Sequence, residues 1–116
     1  MNIRFELFPV LDIADNPRVS ERILRLLDAI RETRSIGKAA AASGFSQRHA
    51  WTLIRNLEKF IGQQLVVGER GNGSMLTAYA MRLLQAERRY RESVQPVLEA
   101  AMAEFAAALQ EEDYRP

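Results

Sequence analysis

The chain has 116 residues, 47% of them hydrophobic and 27% charged, with a formal net charge of +1 and no cysteine. This is enough for one domain with a modest core, and it excludes disulfides, cysteine-ligated zinc, iron–sulfur clusters and thiol catalysis. No apolar run approaches the roughly 20 residues that span a bilayer, and the opening MNIRFELF carries Glu6 and lacks a small-residue cleavage site, so the expected location is the reducing cytoplasm.

Ile3, Phe5 and Leu7 alternate with Arg4 and Glu6 over residues 3–8, a period of two that predicts a half-buried strand. Pro9 and the Asp15-Asn16-Pro17 cluster punctuate the stretch after it. A first helix is expected from Pro17 or Ser20 to Arg34, with Val19, Ile23, Leu26, Leu27 and Ile30 as its core stripe. Ser35 is a suitable N-cap for a second helix, Ile36 to about Ser43, whose Ala39 to Ala42 allow a close helix crossing. Gly44 suits the sharp turn Gly44-Phe45-Ser46. Ser46 then caps a third helix, 47–61, with Gly62 as its stop.

Leu65-Val66-Val67, the loop GERGNGS with its Asn72-Gly73 pair, and Met75-Leu76 read as strand, hairpin loop and returning strand. Thr77 caps a last helix that reaches about Gln110, with Pro96 expected to kink or break it. Its stripe of Leu83, Tyr90, Val94, Val97, Ala101, Phe105 and Ala108 repeats at close to 3.5 residues. Such a stripe reaches roughly 38 Å at 1.5 Å per residue, beyond a domain this small, so it is expected to form a dimer seam rather than to pack on its own domain. The tail EEDYRP reads as frayed.

The small net charge hides a local excess. Residues 34–70 hold six basic groups against two acidic ones, whereas 1–33 and 71–116 are each slightly acidic. A basic patch on a neutral chain is the footprint expected for a polyanion partner. On a helical wheel, Ala50, Leu53, Ile54, Leu57, Phe60 and Ile61 of the third helix share one arc, opposite Arg48, Thr52, Arg55 and Lys59.

A helix pair joined by a tight turn, with a basic outer face on the second helix and a wing after it, is the layout that places a helix in the major groove of DNA. Gln47 can pair with adenine and Arg48 with guanine. Ser46 and the free N–H groups of the first turn suit a phosphate, and Lys59 suits the DNA backbone. His49 is read as a base or phosphate contact or as simply exposed. Trp51 is read as packing beside the first helix or the wing rather than as a stacking platform. Arg70 and Asn72 are candidates for groove or phosphate contact on the wing, with Asn72 equally explained by turn geometry.

A single histidine permits no histidine-based metal site or catalytic triad, and the glycines fit neither a P-loop nor a dinucleotide fingerprint. No enzyme activity and no cofactor are expected. The alternative to a DNA reader is a winged-helix module for protein–protein interaction, in which the same cations meet an acidic partner.

The run SIGKAAAASGFSQRHAWTLIRNLEKFIGQQLV, followed by a glycine-bearing loop and LTAYAMRLL, resembles the winged helix-turn-helix DNA-binding domain of ModE-type (molybdate-responsive) and LysR-type bacterial transcriptional regulators. The resemblance covers about residues 3–90 and is nearer to the ModE type, in the strand before the first helix, His49-Ala50-Trp51, and the wing glycines. It implies a mostly α fold with a small β wing, with residues 1–76 as the DNA-binding domain and 77–116 as a linker and dimerisation helix. It also implies a homodimer on double-stranded operator DNA. By position, Ser46, Gln47, Arg48, His49, Thr52 and Arg55 would face DNA, with Arg70 and Asn72 on the wing and Ser35 and Lys38 at the backbone.

Three residues or segments depart from the family pattern. Arg34 replaces the usual glycine, Ser43 replaces the usual leucine, and the wing holds fewer glycines than a typical ModE wing. Both families normally append an effector-sensing domain. The sequence shows none, so the chain is either a stand-alone regulator or the DNA-binding part of a longer one, and molybdate binding is not carried over.

Overall fold

The computed structural model describes residues 4–7, 17–69 and 73–111. Among the described residues, four helices, α1 (Pro17–Thr33), α2 (Ile36–Ser43), α3 (Gln47–Ile61) and α4 (Ala78–Leu109), accompany a two-stranded antiparallel sheet of β1 (Val66–Glu69) and β2 (Gly73–Leu76). Each boundary has a local cause. Pro17 opens α1, where its missing N–H costs nothing. The hydroxyls of Ser35, Ser46 and Thr77 accept from the Lys38, His49 and Ala80 amides at the starts of α2, α3 and α4.

The turn between α2 and α3 is set by Gly44, which takes φ 78°. Its own N–H reaches the carbonyls of Ala40 and Ala41, and the Phe45 N–H reaches Ala40 at 2.9 Å. This pairing ends a helix while satisfying its last carbonyls, and a left-handed glycine makes it possible. Between α1 and α2 the same left-handed geometry falls on a side chain: Arg34 has φ 55°.

The core joins Ile23, Leu26, Leu27 and Ile30 of α1 to Ile36, Ala39 and Ala40 of α2, Ala50, Ile54 and Leu57 of α3, Leu65, Val66, Ala80 and Leu84. The first two turns of α4 thus complete the domain. Ala39 and Ala40 are buried, as a close crossing needs, but Ala41 and Ala42 are not. Phe60, placed with the core arc by its spacing, is 54% exposed. It stands at the edge of that arc, whereas Ile61, nearer its centre, packs against the core.

The wing is anchored at both ends. Val66 pairs with Leu76, Val67 with Met75, Gly68 with Ser74 and Glu69 with Gly73. Val66 and Ser74 face inward and are buried, whereas Val67 and Met75 face out. The Ser74 N–H donates to the Arg34 carbonyl at 2.9 Å, and the Thr77 N–H to the Leu65 carbonyl at 2.9 Å. Gly73, at φ 79°, passes so close to Arg34 that a Cβ would sit 2.4 Å from its carbonyl oxygen.

Two expectations need correction. Residues 4–7 form no strand. The Phe5 N–H donates to Met102 Sδ at 3.3 Å, and its ring meets Phe105 edge-on at 5.1 Å. The period-two pattern reflects a segment laid along α4 rather than one paired in a sheet. Pro96 does not break α4, which continues to Leu109. Proline removes the hydrogen bond to the Glu92 carbonyl, but this stretch is open to solvent, so water can take that place. Ile3, the Asp15-Asn16 cluster, the side chain of Val19 and the last residues of the tail lie outside the described residues or side chains.

Beyond Leu84, α4 buries no side chain fully. A 32-residue helix is about 48 Å long, and the principal extents are 66 × 25 × 24 Å. The radius of gyration, 18.3 Å, exceeds the roughly 13 Å of a compact 100-residue domain because α4 projects.

Candidate nucleic-acid interface

The outer face of α3 stands clear of the core because Ala50, Ile54 and Leu57 take its inner face to full burial. Gln47, Arg48, His49 and Lys59 are exposed on it. Among the described residues, Arg48 and Lys59 have no ion-pair or hydrogen-bond partner for their side chains, and neither has Lys38 on α2. Long cations left unpaired on one face remain available to an anion.

The remaining residues are more constrained. Thr52 donates its hydroxyl proton to the Arg48 carbonyl at 3.1 Å, so outward it offers an acceptor and a methyl group. The Gln47 amide leans toward α2: a Cβ at Gly37 would meet its Oε1 at 3.3 Å and Ser35 Oγ at 3.8 Å. The Gln47 side chain, from the first turn of α3, therefore reaches the first turn of α2 near Ser35. Each helix N-terminus favours negative charge. The His49 ring lies 5.3 Å from that of Phe45, whose other neighbour is the Arg22 guanidinium at 4.2 Å, itself donating to the Ser43 carbonyl at 3.4 Å. The His49 ring is thus held against the turn.

Arg55 departs from the expected set. Its Nη1 donates to Glu58 Oε1 at 2.6 Å and faces the Val66 carbonyl at 3.5 Å, and its guanidinium stacks over Trp51 at 4.5 Å. It is turned to the wing because its position on α3 borders the flank where β1 begins. Trp51 packs beside the wing, as expected: a Cβ at Gly68 would lie 3.5 Å from its ring. Arg70 and Asn72 lie outside the described residues.

Glu58 and Phe45 were not singled out by sequence. Glu58 Oε2 accepts from the Leu65 and Val66 amides at 2.7 and 3.3 Å. Burial raises its pKa, but the Leu65 amide, the Arg55 guanidinium and the Val66 amide outweigh this and leave it below the ordinary value of 4.5. The signal for it was present: one of only two acids in the most basic stretch, on the flank of α3 and seven residues ahead of the apolar run that opens at Leu65. For Phe45 the signal was an aromatic in a turn otherwise built of small residues.

On α4, Tyr90, Val97 and Ala101 are exposed, Val94 is half-buried, and the expected stripe is partly used within the chain. Leu83 packs on the core, and Phe105 is partly covered by Phe5. Among the described residues no cluster of side chains could hold a metal ion, and no helix is long and apolar enough to cross a membrane.

This arrangement recurs in known proteins. The chain is 37% identical over 71 residues to the molybdenum transport protein ModE of Herbaspirillum seropedicae and 31% identical over 93 residues to that of Azotobacter vinelandii, covering 58% and 77% of the chain. It spans 26% and 34% of those relatives' lengths. Its fold matches the CbnR DNA-binding domain solved with DNA, with TM-score 0.57 and 26% identity over 75% of this chain and 95% of that one. It also matches the BenM DNA-binding domain bound to the catB site 1, with TM-score 0.56 and 26% identity over 80% and 97%. Residues 22–81 match the bacterial regulatory helix-turn-helix protein, lysR family. With an exposed basic face on α3, a glycine turn before it and a wing after it, the chain belongs to the lysR family of bacterial regulatory helix-turn-helix proteins and carries its DNA-binding domain.

Proposed function

We propose that the chain is a sequence-specific transcriptional regulator acting in the cytoplasm, and that it binds an inverted-repeat operator as a homodimer with helix 47–61 in the major groove. The observation that carries this reading is the outward face of α3, where Arg48 in its first turn and Lys59 in its last turn stand unpaired among the described residues. Arg48, Gln47, His49 and Thr52 would read bases, with Lys59, Lys38, Ser35 and Ser46 holding the backbone and Arg70 and Asn72 reaching from the wing.

The dimer is supported by α4. Most helical stability in proteins comes from packing of an apolar face, and Tyr90, Val97 and Ala101 carry that of α4 into solvent. A second copy would bury that stripe and set two recognition helices about 34 Å apart.

Selection from random duplexes with the purified chain tests all of this together. The expected product is two half-sites in inverted orientation, one helical turn apart, with affinity that falls steeply as salt rises. Binding that is blind to sequence, or enrichment of single half-sites only, would remove the operator and dimer readings respectively. No binding to any duplex would favour an acidic protein partner for the same face.

A further inference from the structure

We propose that Arg55 and Glu58 form a latch that sets where the wing stands relative to the recognition helix, and that Arg55 affects DNA binding through wing placement rather than as a phosphate contact. This rests on the reading of α3 as the DNA-facing helix. The latch has two tethers from α3 to the wing. At the root of β1, the Glu58 carboxylate accepts both the Leu65 and the Val66 amides, at 2.7 and 3.3 Å. At mid-wing, the Trp51 ring packs on Gly68. Arg55 joins the two tethers, because it donates to Glu58 at 2.6 Å and lies over Trp51 at 4.5 Å.

Charge points the same way. The Glu58 side chain is only 10% exposed, against 45% for Arg55. Exposed ion pairs are usually weak, but this carboxylate is held in place by backbone donors and cannot swing away. Were Arg55 to leave for a phosphate, the Glu58 charge would remain beside the DNA polyanion without its cation. The pair is neutral while intact, so it releases no counterion when DNA binds. Lys59, one residue beyond Glu58 and without a partner among the described residues, carries no such restraint.

The test is a salt series of duplex binding by the full chain and by Arg55→Ala, Glu58→Gln, the double variant and Lys59→Ala. Amide hydrogen exchange at Leu65 and Val66, measured without DNA, accompanies it. Lys59→Ala should lower the slope of log affinity against log salt by about one. Arg55→Ala and Glu58→Gln should each weaken binding at an unchanged slope. The double variant should be no weaker than the worse single one, as for residues acting as a unit. Both single variants should speed exchange at the two wing amides.

A slope lowered by about one in Arg55→Ala, as for a phosphate contact, would overturn the proposal, as would losses that add in the double variant or unchanged exchange at Leu65 and Val66. Loss of salt-dependent binding by the unaltered chain would instead refute the DNA reading, and the exchange measurement would still decide the latch.

Discussion

Replacing Gly73 with alanine separates backbone strain from a steric clash, because a second glycine in the same conformation serves as its control. Gly73 and Gly62 both have φ 79°. A Cβ at Gly62 meets nothing within 4 Å, whereas one at Gly73 would lie 2.4 Å from the Arg34 carbonyl oxygen. The left-handed conformation alone costs a side chain about 1–2 kcal/mol, and this applies to both. At Gly73 the strand must also retreat from Arg34, and that retreat disrupts the 2.9 Å bond from the Ser74 N–H to the same oxygen. Ser74 is buried, so its amide would lose a partner at a further cost of about 1–3 kcal/mol.

Net of the freedom glycine adds to the unfolded chain, about 0.5–1 kcal/mol, Gly62→Ala should therefore destabilise by about 0.5–1 kcal/mol and Gly73→Ala by about 1.5–4 kcal/mol. In a chain of this size each kcal/mol corresponds to roughly 4 °C in Tm. Thermal and urea unfolding at matched protein concentration give both numbers, because self-association would make Tm depend on concentration. Equal losses in the two variants would refute the claim that β2 is pinned to the turn between α1 and α2.

Arg34→Gly should stabilise by about 0.5–1 kcal/mol, since relief of the left-handed penalty exceeds the added freedom of the unfolded chain; urea unfolding checks this. Glu58 has a folded pKa below its ordinary value of 4.5. Its contribution is therefore full above that value and is lost as pH falls through the folded pKa, so Glu58→Gln should flatten the loss of stability below about pH 4.5 in acid titrations followed by circular dichroism. Arg48→Ala should relax base preference by about 1–3 kcal/mol at one operator position, whereas Lys59→Ala should weaken all duplexes alike. Competition binding with single-base variants distinguishes the two patterns.

The helices, their caps and the outer face of α3 were legible in the sequence because each depends on residues within about four positions of one another. Ser35, Gly44, Ser46, Gly62 and Thr77 all sit where the chain starts or stops a helix. The basic face of α3 follows from the same periodicity, since the residues opposite a buried arc must meet solvent.

Contacts between segments far apart in the chain were not legible. Arg55 reads as one more cation on the wheel, and only the position of β1 turns it to Glu58 and Trp51. Phe5 reads as a strand residue until α4 supplies Met102 and Phe105 as its partners. Gly73 reads as half of a hairpin pair, whereas its closest neighbour is a carbonyl at Arg34. Local propensity determined the elements and the basic outer face of α3. Tertiary packing decided which of that face's cations remain unpaired, because a side chain at the border of two faces goes where its strongest partner stands.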